Sequence, residues 1–266
     1  MGLLTKDKIA TYRKALDADG YFVLKDVVSL SGLEAFRERI EAEFAKLKIG
    51  GALFDGGGLY SGHLNCVPGK AARFAYDDIV RAGIVDFVSE LDGSWAARPR
   101  ATMNYNLPGS HAQHYHMDGV FLKDFLICNV AVVDTTLVNG ALDVLPGTNR
   151  SFLRFWQYAL RRKFRTTTRV PLQQGDVVVR RSTLWHRGMP NDSELARAML
   201  AFTFGETEAP NPDPFADATD EMEFYPNWFR PTKIGRLRER IFVAAPISYS
   251  AYRFSRSLFS NKGYAS

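Results

Sequence analysis

The sequence predicts an α+β protein with a mainly β core, because helical patterns come first along the chain and strand patterns follow. Near the N-terminus, apolar residues recur at spacings of three and four, as they do in amphipathic helices. Beyond residue 100, short runs rich in β-branched and aromatic residues are bounded by Gly, Pro, Asn or Asp, as strands are. This order of elements is typical of a β-sandwich or barrel that is flanked by helices.

Three helices and one strand are predicted in the first third of the chain. The helices cover Lys6–Ala18, Ser31–Leu47 and Asp77–Leu91, and the strand Tyr21–Leu24 lies between the first two. Thr5 can cap the first helix, because its hydroxyl can accept from a free backbone N–H.

A glycine-rich segment from Ile49 to Arg73 predicts a loop. The three consecutive glycines at 56–58 could cradle a phosphate group. However, no Gly-Lys-Ser/Thr follows them and no strand-turn-helix pattern surrounds them, so a loop is favoured over a nucleotide site.

Strand patterns dominate the second half of the chain, where a helix predicted over Phe152–Phe164 interrupts them. The predicted strands are Arg100–Leu107, Phe125–Thr135, Val170–Leu172, Val177–Arg181 and Ala196–Gly205. No repeat or linker divides the chain. We therefore expect one domain over residues 1–266, with a core at about 19–206 and a partly helical, basic C-terminal extension at 207–266.

The composition is that of a soluble globular protein, with 46% hydrophobic and 24% charged residues among 266. Two cysteines, Cys66 and Cys128, are too few for a disulfide framework. The N-terminus has charge within its first eight residues, and no apolar stretch is long enough to span a membrane. These features predict a cytoplasmic protein.

The net charge of +5 conceals two basic segments. Residues 151–169 hold six Lys or Arg and no acid, and residues 229–266 hold eight against the single Glu239. They could form a positive rim for an anionic substrate, although solvated surface charge explains them equally well. In the second segment, Ile234, Leu237 and Ile241 follow helical spacing. Such a basic amphipathic helix can lie on an anionic membrane or pack on the domain.

The strongest chemical signal is the tripeptide His116-Met-Asp118. Side chains on extended backbone point the same way at every second residue, so His116 and Asp118 can bind one metal ion from one side. His186 is the best candidate for a third ligand. Two imidazoles and one carboxylate on one face leave the opposite face of an Fe(II) ion open.

The remaining histidines leave alternatives open. His114 shares the alternation of His116, so a different pairing is conceivable, although the aspartate favours His116. We expect His114 beside the ligands and His111 in a loop. Trp185, Tyr105 and Tyr115 are expected to pack in the interior.

Further motifs surround the three candidate ligands, and Arg197 stands eleven positions after His186. In order they are Asn139-Gly-Ala-Leu142, Leu145-Pro-Gly-Thr148, Gly175-Asp176 and Trp185-His186. With this spacing, the chain resembles the phytanoyl-CoA dioxygenase family of Fe(II)- and 2-oxoglutarate-dependent oxygenases. The segment Asp19–Asp26 is also similar to that family's opening strand. The resemblance covers roughly residues 19–206.

The resemblance implies a double-stranded β-helix, also called a jelly roll, with the metal inside one end of the barrel. By position it implies the iron ligands His116, Asp118 and His186, a 2-oxoglutarate anchor at Arg197, and further cosubstrate contacts at Asn129, Met103 and Gly188. The family often has histidine where this chain has Asn149.

The activity implied is hydroxylation of an unactivated C–H bond, with Fe(II), 2-oxoglutarate and O2 required and succinate and CO2 released. The substrate would be a small or lipid-like molecule, and the basic segments favour an anionic one. The presence of Asp118 disfavours a halogenase, which needs that coordination position for halide. The alternative is a non-catalytic jelly-roll protein that binds metal or sugar. No nucleic-acid-binding motif is found, so we expect no nucleic acid as a partner.

Overall fold

The computed structural model of the protein describes residues 4, 6–50, 58, 60–95, 99–205 and 213–260. The helices are α1 (Lys6–Ala18), α2 (Leu30–Gly50), α3 (Arg73–Arg81), α4 (Ile84–Leu91), α5 (Phe155–Leu160), α6 (Lys233–Ala244) and α7 (Pro246–Phe259). The strands are β1 (Tyr21–Leu24), β2 (His63–Val67), β3 (Arg100–Asn106), β4 (Leu126–Ala131), β5 (Leu142–Val144), β6 (Thr168–Val170), β7 (Val177–Arg181), β8 (His186–Arg187), β9 (Arg197–Phe204) and β10 (Glu223–Pro226).

The strands form two antiparallel sheets whose side chains line one cavity. The large sheet has the order β1-β7-β4-β9-β3-β2-β10, and the small sheet has the order β6-β5-β8. Residues of both sheets, such as Arg197 of β9 and His186 of β8, line the same cavity. Two sheets around one interior cavity are the arrangement that a jelly roll requires.

The helices α1 to α4 cover the outer face of the large sheet. Leu16, Leu33 and Ile40 from the first two helices are almost completely buried, together with Phe87 of α4 and Phe202 of β9. The 3.6-residue periodicity of α1 and α2 therefore marks the faces that pack against the sheet.

The patterns of α1, β1 and β7 predict the bounds that these elements have in the structure. The segment 77–91 is helical but contains two helices, because Gly83 has a φ of +83° and separates α3 from α4. A left-handed φ ends a helix and favours glycine.

Several expectations need correction. The strand expected over Phe125–Thr135 ends at Ala131, and the strand expected over Val170–Leu172 is β6 at Thr168–Val170. The segment Ile49–Arg73 is not a loop throughout, because His63–Val67 form β2 between β3 and β10. Glycines surround this strand, which hides its short pattern. The helix expected over Phe152–Phe164 is shorter: α5 ends at Leu160, and a separate 3-10 turn covers Lys163–Arg165.

The C-terminal extension is partly helical, and it also contributes β10 to the large sheet, so the sheet continues past the core expected at about 19–206. Its helix α6 packs on the domain. Glu239 of α6 is fully buried. Its carboxylate accepts hydrogen bonds from the backbone of Gly58 at 2.8 Å and of Ser61 at 2.9 Å, and from the Ser61 hydroxyl at 2.8 Å. The one acidic residue of this basic segment therefore anchors α6 to the start of β2.

No helix within the described ranges is both long and apolar enough to cross a membrane. The cytoplasmic location and the single domain over residues 1–266 stay predictions.

Candidate metal centre and active site

Three side chains of the correct type for a metal site converge at one end of the cavity. One ligand atom from each of His116, Asp118 and His186 lies within 4.8 Å of the other two. The Nε2 atoms of His116 and His186 lie 3.6 Å and 3.5 Å from the two Asp118 carboxylate oxygens. The structure thus brings together the three residues that the sequence singles out.

Backbone pairing sets the distance between the two histidines. His116 and His186 form an antiparallel β-bridge, with N–H···O distances of 3.0 Å and 2.8 Å between their main chains. Their rings lie 4.3 Å apart between centroids. Extended backbone at residue 116 also places Asp118 on the same side, as the period of two requires.

In each of the two histidine rings, Nδ1 forms a hydrogen bond with a backbone carbonyl. Nδ1 of His116 donates to the carbonyl of His114, and Nδ1 of His186 to that of Leu184, both at 2.9 Å. Because a carbonyl accepts only, Nδ1 carries the proton and the neutral ring leaves the Nε2 lone pair free. Both Nε2 atoms face Asp118, so both rings are in the tautomer that can bind a metal ion.

The electrostatics of the site favour neutral histidines and an ionised aspartate. Burial lowers the pKa of His116 and lowers the pKa of His186 further. Burial alone would raise the pKa of Asp118, but His186 and the Arg180 guanidinium outweigh it and hold that pKa below its usual range. These are the protonation states in which the three groups act as metal ligands.

Arg180 is a site residue that the sequence analysis missed. Its Nη2 lies 2.8 Å from the Asp118 carboxylate, and its Nε donates to the Asn129 side chain at 2.9 Å. The motif Val177-Val-Val-Arg-Arg reads as a strand that ends in surface charge. One sequence pattern could have identified Arg180 as a residue of the site. It is the alternation along β7, which places Arg180 on the same face as Val178.

A cavity of about 320 Å³ extends from the three ligands along the inner face of the large sheet. Arg197, the first residue of β9, lines it and is buried. One of its nitrogens, Nη2, donates to the Gly140 carbonyl at 3.2 Å. Its Nε is buried without a hydrogen-bond partner among the described residues. Burial lowers the pKa of Arg197 to about 10.

Two of the three further predicted cosubstrate contacts line this cavity. Asn129 lies on β4 next to Arg180, and the Gly188 backbone N–H donates to Gln113 at 2.8 Å. A Cβ atom at Gly188 would lie 3.6 Å from the Arg197 guanidinium, so the two residues are neighbours.

Met103 does not line the cavity with them. Its side chain is fully buried in the main hydrophobic cluster, on the other face of β3. Alternation along the strand turns Thr102 and Asn104 into the cavity instead.

His114 lies beside the ligands without joining them. Its ring centroid is 3.9 Å from that of Trp228 and 5.0 Å from that of Tyr249, and burial keeps its pKa well below the usual value. Trp228 also packs edge-on against His116, with 4.8 Å between centroids. Trp228, in the segment that follows β10, therefore forms an aromatic wall beside the candidate metal centre, which the sequence patterns did not indicate.

The other side chains singled out in the sequence pack in hydrophobic clusters or hydrogen-bond to the backbone. Trp185 and Tyr115 are buried in one small cluster and Tyr105 in the main core. Asn149 donates to the backbone carbonyls of Leu16 and Asp17, so it connects the loop after β5 to α1.

A model of the phytanoyl-CoA dioxygenase family (PhyH) matches residues 16–199, which is more than half of the chain. The chain belongs to this family. The resemblance inferred from the motifs is therefore confirmed.

A curated relative supports the family assignment. The methylphosphonate hydroxylase of Gimesia maris is 26% identical over 134 residues, which are 47% of this chain and 52% of the relative. The chain thus spans about half the length of this relative.

Solved structures share the fold at low identity. EctD from S. alaskensis with bound Fe has a TM-score of 0.58 and 18% identity, covering 83% of this chain and 86% of that chain. The non-heme alpha ketoglutarate-dependent carbocyclase SnoK from nogalamycin biosynthesis has a TM-score of 0.55 and 17% identity, covering 80% and 88%. HygX from Streptomyces hygroscopicus with nickel, 2-oxoglutarate and hygromycin B has a TM-score of 0.51 and 16% identity, covering 77% and 88%. The expected jelly-roll fold of the phytanoyl-CoA dioxygenase family is confirmed.

Proposed function

We propose that this protein is an Fe(II)- and 2-oxoglutarate-dependent dioxygenase. It converts a substrate C–H bond to C–OH, while one molecule each of O2 and 2-oxoglutarate yields succinate and CO2. The observation that carries the proposal is the convergence of His116, Asp118 and His186 in the cavity that also contains the buried Arg197.

The three side chains fit a non-heme Fe(II) ion. They offer two neutral imidazole nitrogens and one carboxylate oxygen, the donor set found in Fe(II) oxygenases. The two Nδ1–H···O=C bonds hold the rings with Nε2 toward the site, as the hydrogen-bonded partners of metal-bound histidines usually do.

Arg197 fits the distal carboxylate of 2-oxoglutarate. A buried guanidinium whose Nε has no partner among the described residues needs an anion, and a planar carboxylate matches its fork. Gly188 leaves room beside Arg197, because a side chain there would press on Gln113. His116, Asp118 and His186 would hold the metal, and Arg197 the far end of the cosubstrate.

The bound iron and 2-oxoglutarate would supply the activation of O2 for attack on the substrate C–H bond. The chain's own part is to hold the reactants and to exclude water. Asp118 balances part of the metal charge, and Arg180 keeps that carboxylate ionised and oriented at 2.8 Å. Trp228 covers one side of His116 and limits solvent access there.

The substrate in this proposal is a small anionic molecule. Arg100, Arg180 and Arg197 line the cavity, against the single acid Asp118 among its described lining residues. The relative from Gimesia maris is named for an anionic substrate, methylphosphonate. A cavity with this charge favours anions over an uncharged lipid chain.

The two basic segments add to this attraction. The backbone N–H of Trp156 in α5 donates to the Ser257 hydroxyl of α7 at 3.0 Å, and Arg253 of α7 stacks over Phe155 at 4.2 Å. Residues 151–169 and the C-terminal helices are therefore neighbours. In our proposal they form the positive rim that guides an anionic substrate to the cavity.

Anaerobic titration with Fe(II) and 2-oxoglutarate tests the proposed function. We expect a visible metal-to-ligand charge-transfer band in the wild-type protein, and loss of that band in His116→Ala. Addition of O2 with a substrate should then release succinate. His111→Ala is the matched control, because His111 is exposed in the same segment and is not one of the three ligands.

A wild-type protein without the band, or an undiminished band in His116→Ala, would remove the dioxygenase assignment. Metal binding with neither band nor succinate would instead support a non-catalytic jelly-roll protein.

A further inference from the structure

Four residues from neighbouring strands form a transverse row on the cavity face of the large sheet. Arg180 of β7 pairs in register with Ile127 of β4, Ile127 with Thr203 of β9, and Thr203 with Arg100 of β3. All four line the cavity. The row therefore has an arginine at each end and smaller side chains between them.

This row lies away from the proposed cosubstrate anchor. Arg197 and Thr203 belong to the same strand and are six residues apart, which corresponds to about 20 Å along β9. Arg197 pairs instead with Asn106, at the other end of β3. A molecule that binds Arg197 with one carboxylate and the metal with its other end leaves the row uncovered.

Arg180 and Arg100 can reach one small molecule between them. Three strand spacings separate their backbones, which is about 14 Å, and both arginines have long side chains. Arg180 is buried and contacts the metal ligand Asp118, whereas Arg100 is exposed at the edge of the cavity. A substrate held between them lies next to the metal centre.

Arg180 has a donor left for such a molecule. Its Nε and Nη2 serve Asn129 and Asp118. Its Nη1 is buried and has no hydrogen-bond partner among the described residues. A buried guanidinium N–H without an acceptor is costly, and an oxyanion would satisfy it.

The charge of the cavity indicates a doubly negative ligand. Three arginines and one aspartate among the described lining residues give a formal charge of +2 with neutral histidines. Asp118 and the metal-binding carboxylate of 2-oxoglutarate would balance the two positive charges of Fe(II), and the distal carboxylate would balance Arg197. The two positive charges of Arg180 and Arg100 then remain.

We propose that Arg180 and Arg100 bind the phosphoryl-type dianion of a small substrate, such as a phosphonate or phosphate monoester, and thereby hold its C–H bond beside the metal. This assignment rests on the proposed dioxygenase function and adds the substrate class. The lining around the arginines includes the polar side chains of Thr102, Thr203 and Asn104, and Ile127 is the one apolar residue of the row. A compact polar molecule suits such walls better than a long acyl chain does.

Calorimetric titration tests this subsite without turnover. The protein is loaded with Ni(II), which does not support O2 activation, and with saturating 2-oxoglutarate, so that Arg197 is occupied. The probes at pH 8 are methylphosphonate, inorganic phosphate, acetate and neutral tert-butanol. We expect both phosphoryl probes to bind, and acetate and tert-butanol to bind at least about tenfold more weakly.

Arg100→Gln should weaken methylphosphonate binding by about tenfold or more, because a charge-assisted hydrogen bond is lost. Arg13→Gln is the matched control, with the same charge change on α1, and should bind as the wild type does. Arg180→Lys provides a second variant, which keeps the charge but loses the fork. It should also weaken binding and should shift the Fe(II)–2-oxoglutarate band.

Equal affinity of Arg100→Gln and wild type for methylphosphonate would overturn the assignment, as would acetate or tert-butanol binding as tightly as the phosphoryl probes. If the Fe(II)–2-oxoglutarate band forms but none of the anions binds, the subsite is wrong while the dioxygenase proposal stands. If no band forms, the dioxygenase proposal fails. Titration of the metal-free protein and of Arg100→Gln with phosphate then still decides whether the arginines bind anions.

Discussion

At Arg197, a buried positive charge lies close to few groups that could balance it. Its hydrogen bond to the Gly140 carbonyl uses one nitrogen, and its Nε has no partner among the described residues. Such a guanidinium costs stability in the empty protein and gains a strong partner when a carboxylate binds. Its role is therefore best tested by ligand affinity.

We expect Arg197→Lys to raise the dissociation constant for 2-oxoglutarate about tenfold or more. A lysine keeps the charge, but it cannot make two parallel hydrogen bonds to one carboxylate. Titration of the Fe(II)–2-oxoglutarate band measures this constant. Arg165→Lys on the exposed surface is the control, and an unchanged constant for Arg197→Lys would argue against the assigned anchor.

At the residue scale, the sequence predicts which side chains converge wherever strand alternation and residue chemistry agree. His116 and Asp118 required only a period of two, and they converge with His186. Met103 is one position away from the cavity-lining Asn104, and a shift of one position along a strand turns a side chain to the other face of the sheet. Arg180 was missed because an arginine at a strand end usually faces water.

At the scale of elements, α6 packs on the domain with a different face from the one that the apolar sequence pattern marks. Its buried residues Gly235, Glu239 and Phe242 face the domain. Its other apolar residues, Ile234, Leu237 and Ile241, are 65%, 58% and 48% exposed. The helix thus packs on the domain with one face and presents a second apolar face to solvent.

We expect this second face to contact anionic membranes, because Arg238 and Arg240 are exposed on the same helix. Co-sedimentation with phosphatidylserine vesicles should exceed that with neutral vesicles. It should fall severalfold in the triple variant Ile234→Ser, Leu237→Ser, Ile241→Ser. Leu137→Ser, an exposed leucine outside α6, should have no effect. Binding that ignores both the anionic lipid and the triple variant would contradict this expectation.

The elements that the sequence did not reveal are short. β8 has two residues and β5 has three, so neither shows a repeated alternation. These strands exist because the neighbouring strands supply their hydrogen bonds. The helices α1 and α2 are long enough for a repeated amphipathic pattern, which shows directly which face is buried. Their bounds were therefore predicted almost correctly.

At the scale of the whole molecule, Glu239 connects parts of the chain that are far apart in sequence. Its partners Gly58 and Ser61 lie 181 and 178 residues away. The carboxylate accepts from three N–H or O–H groups in a buried position, so the C-terminal helices and the start of β2 stabilise one another. This supports the prediction of one domain over residues 1–266.

Glu239→Gln should lower the free energy of unfolding by about 1–3 kcal/mol. The amide oxygen can still accept from Ser61 at the position of Oε1, but the amide NH2 then faces the Gly58 N–H at the position of Oε2. Urea unfolding followed by circular dichroism measures the change. Glu38→Gln, on the exposed face of α2, should change it little. We expect one cooperative transition in each case, and a separate transition for the C-terminal helices would contradict the single domain.

The β-bridge between His116 and His186 has a consequence for folding. The two residues come from distant parts of the chain, and their main chains pair directly. A shift of one residue in the pairing of these two segments would turn one imidazole to the outer face of the sheet. A metal ion at this site would then lose a ligand. An ion bound by this triad would therefore stabilise the native register over a shifted one, and we expect metal that is present during refolding to favour correctly assembled sheets.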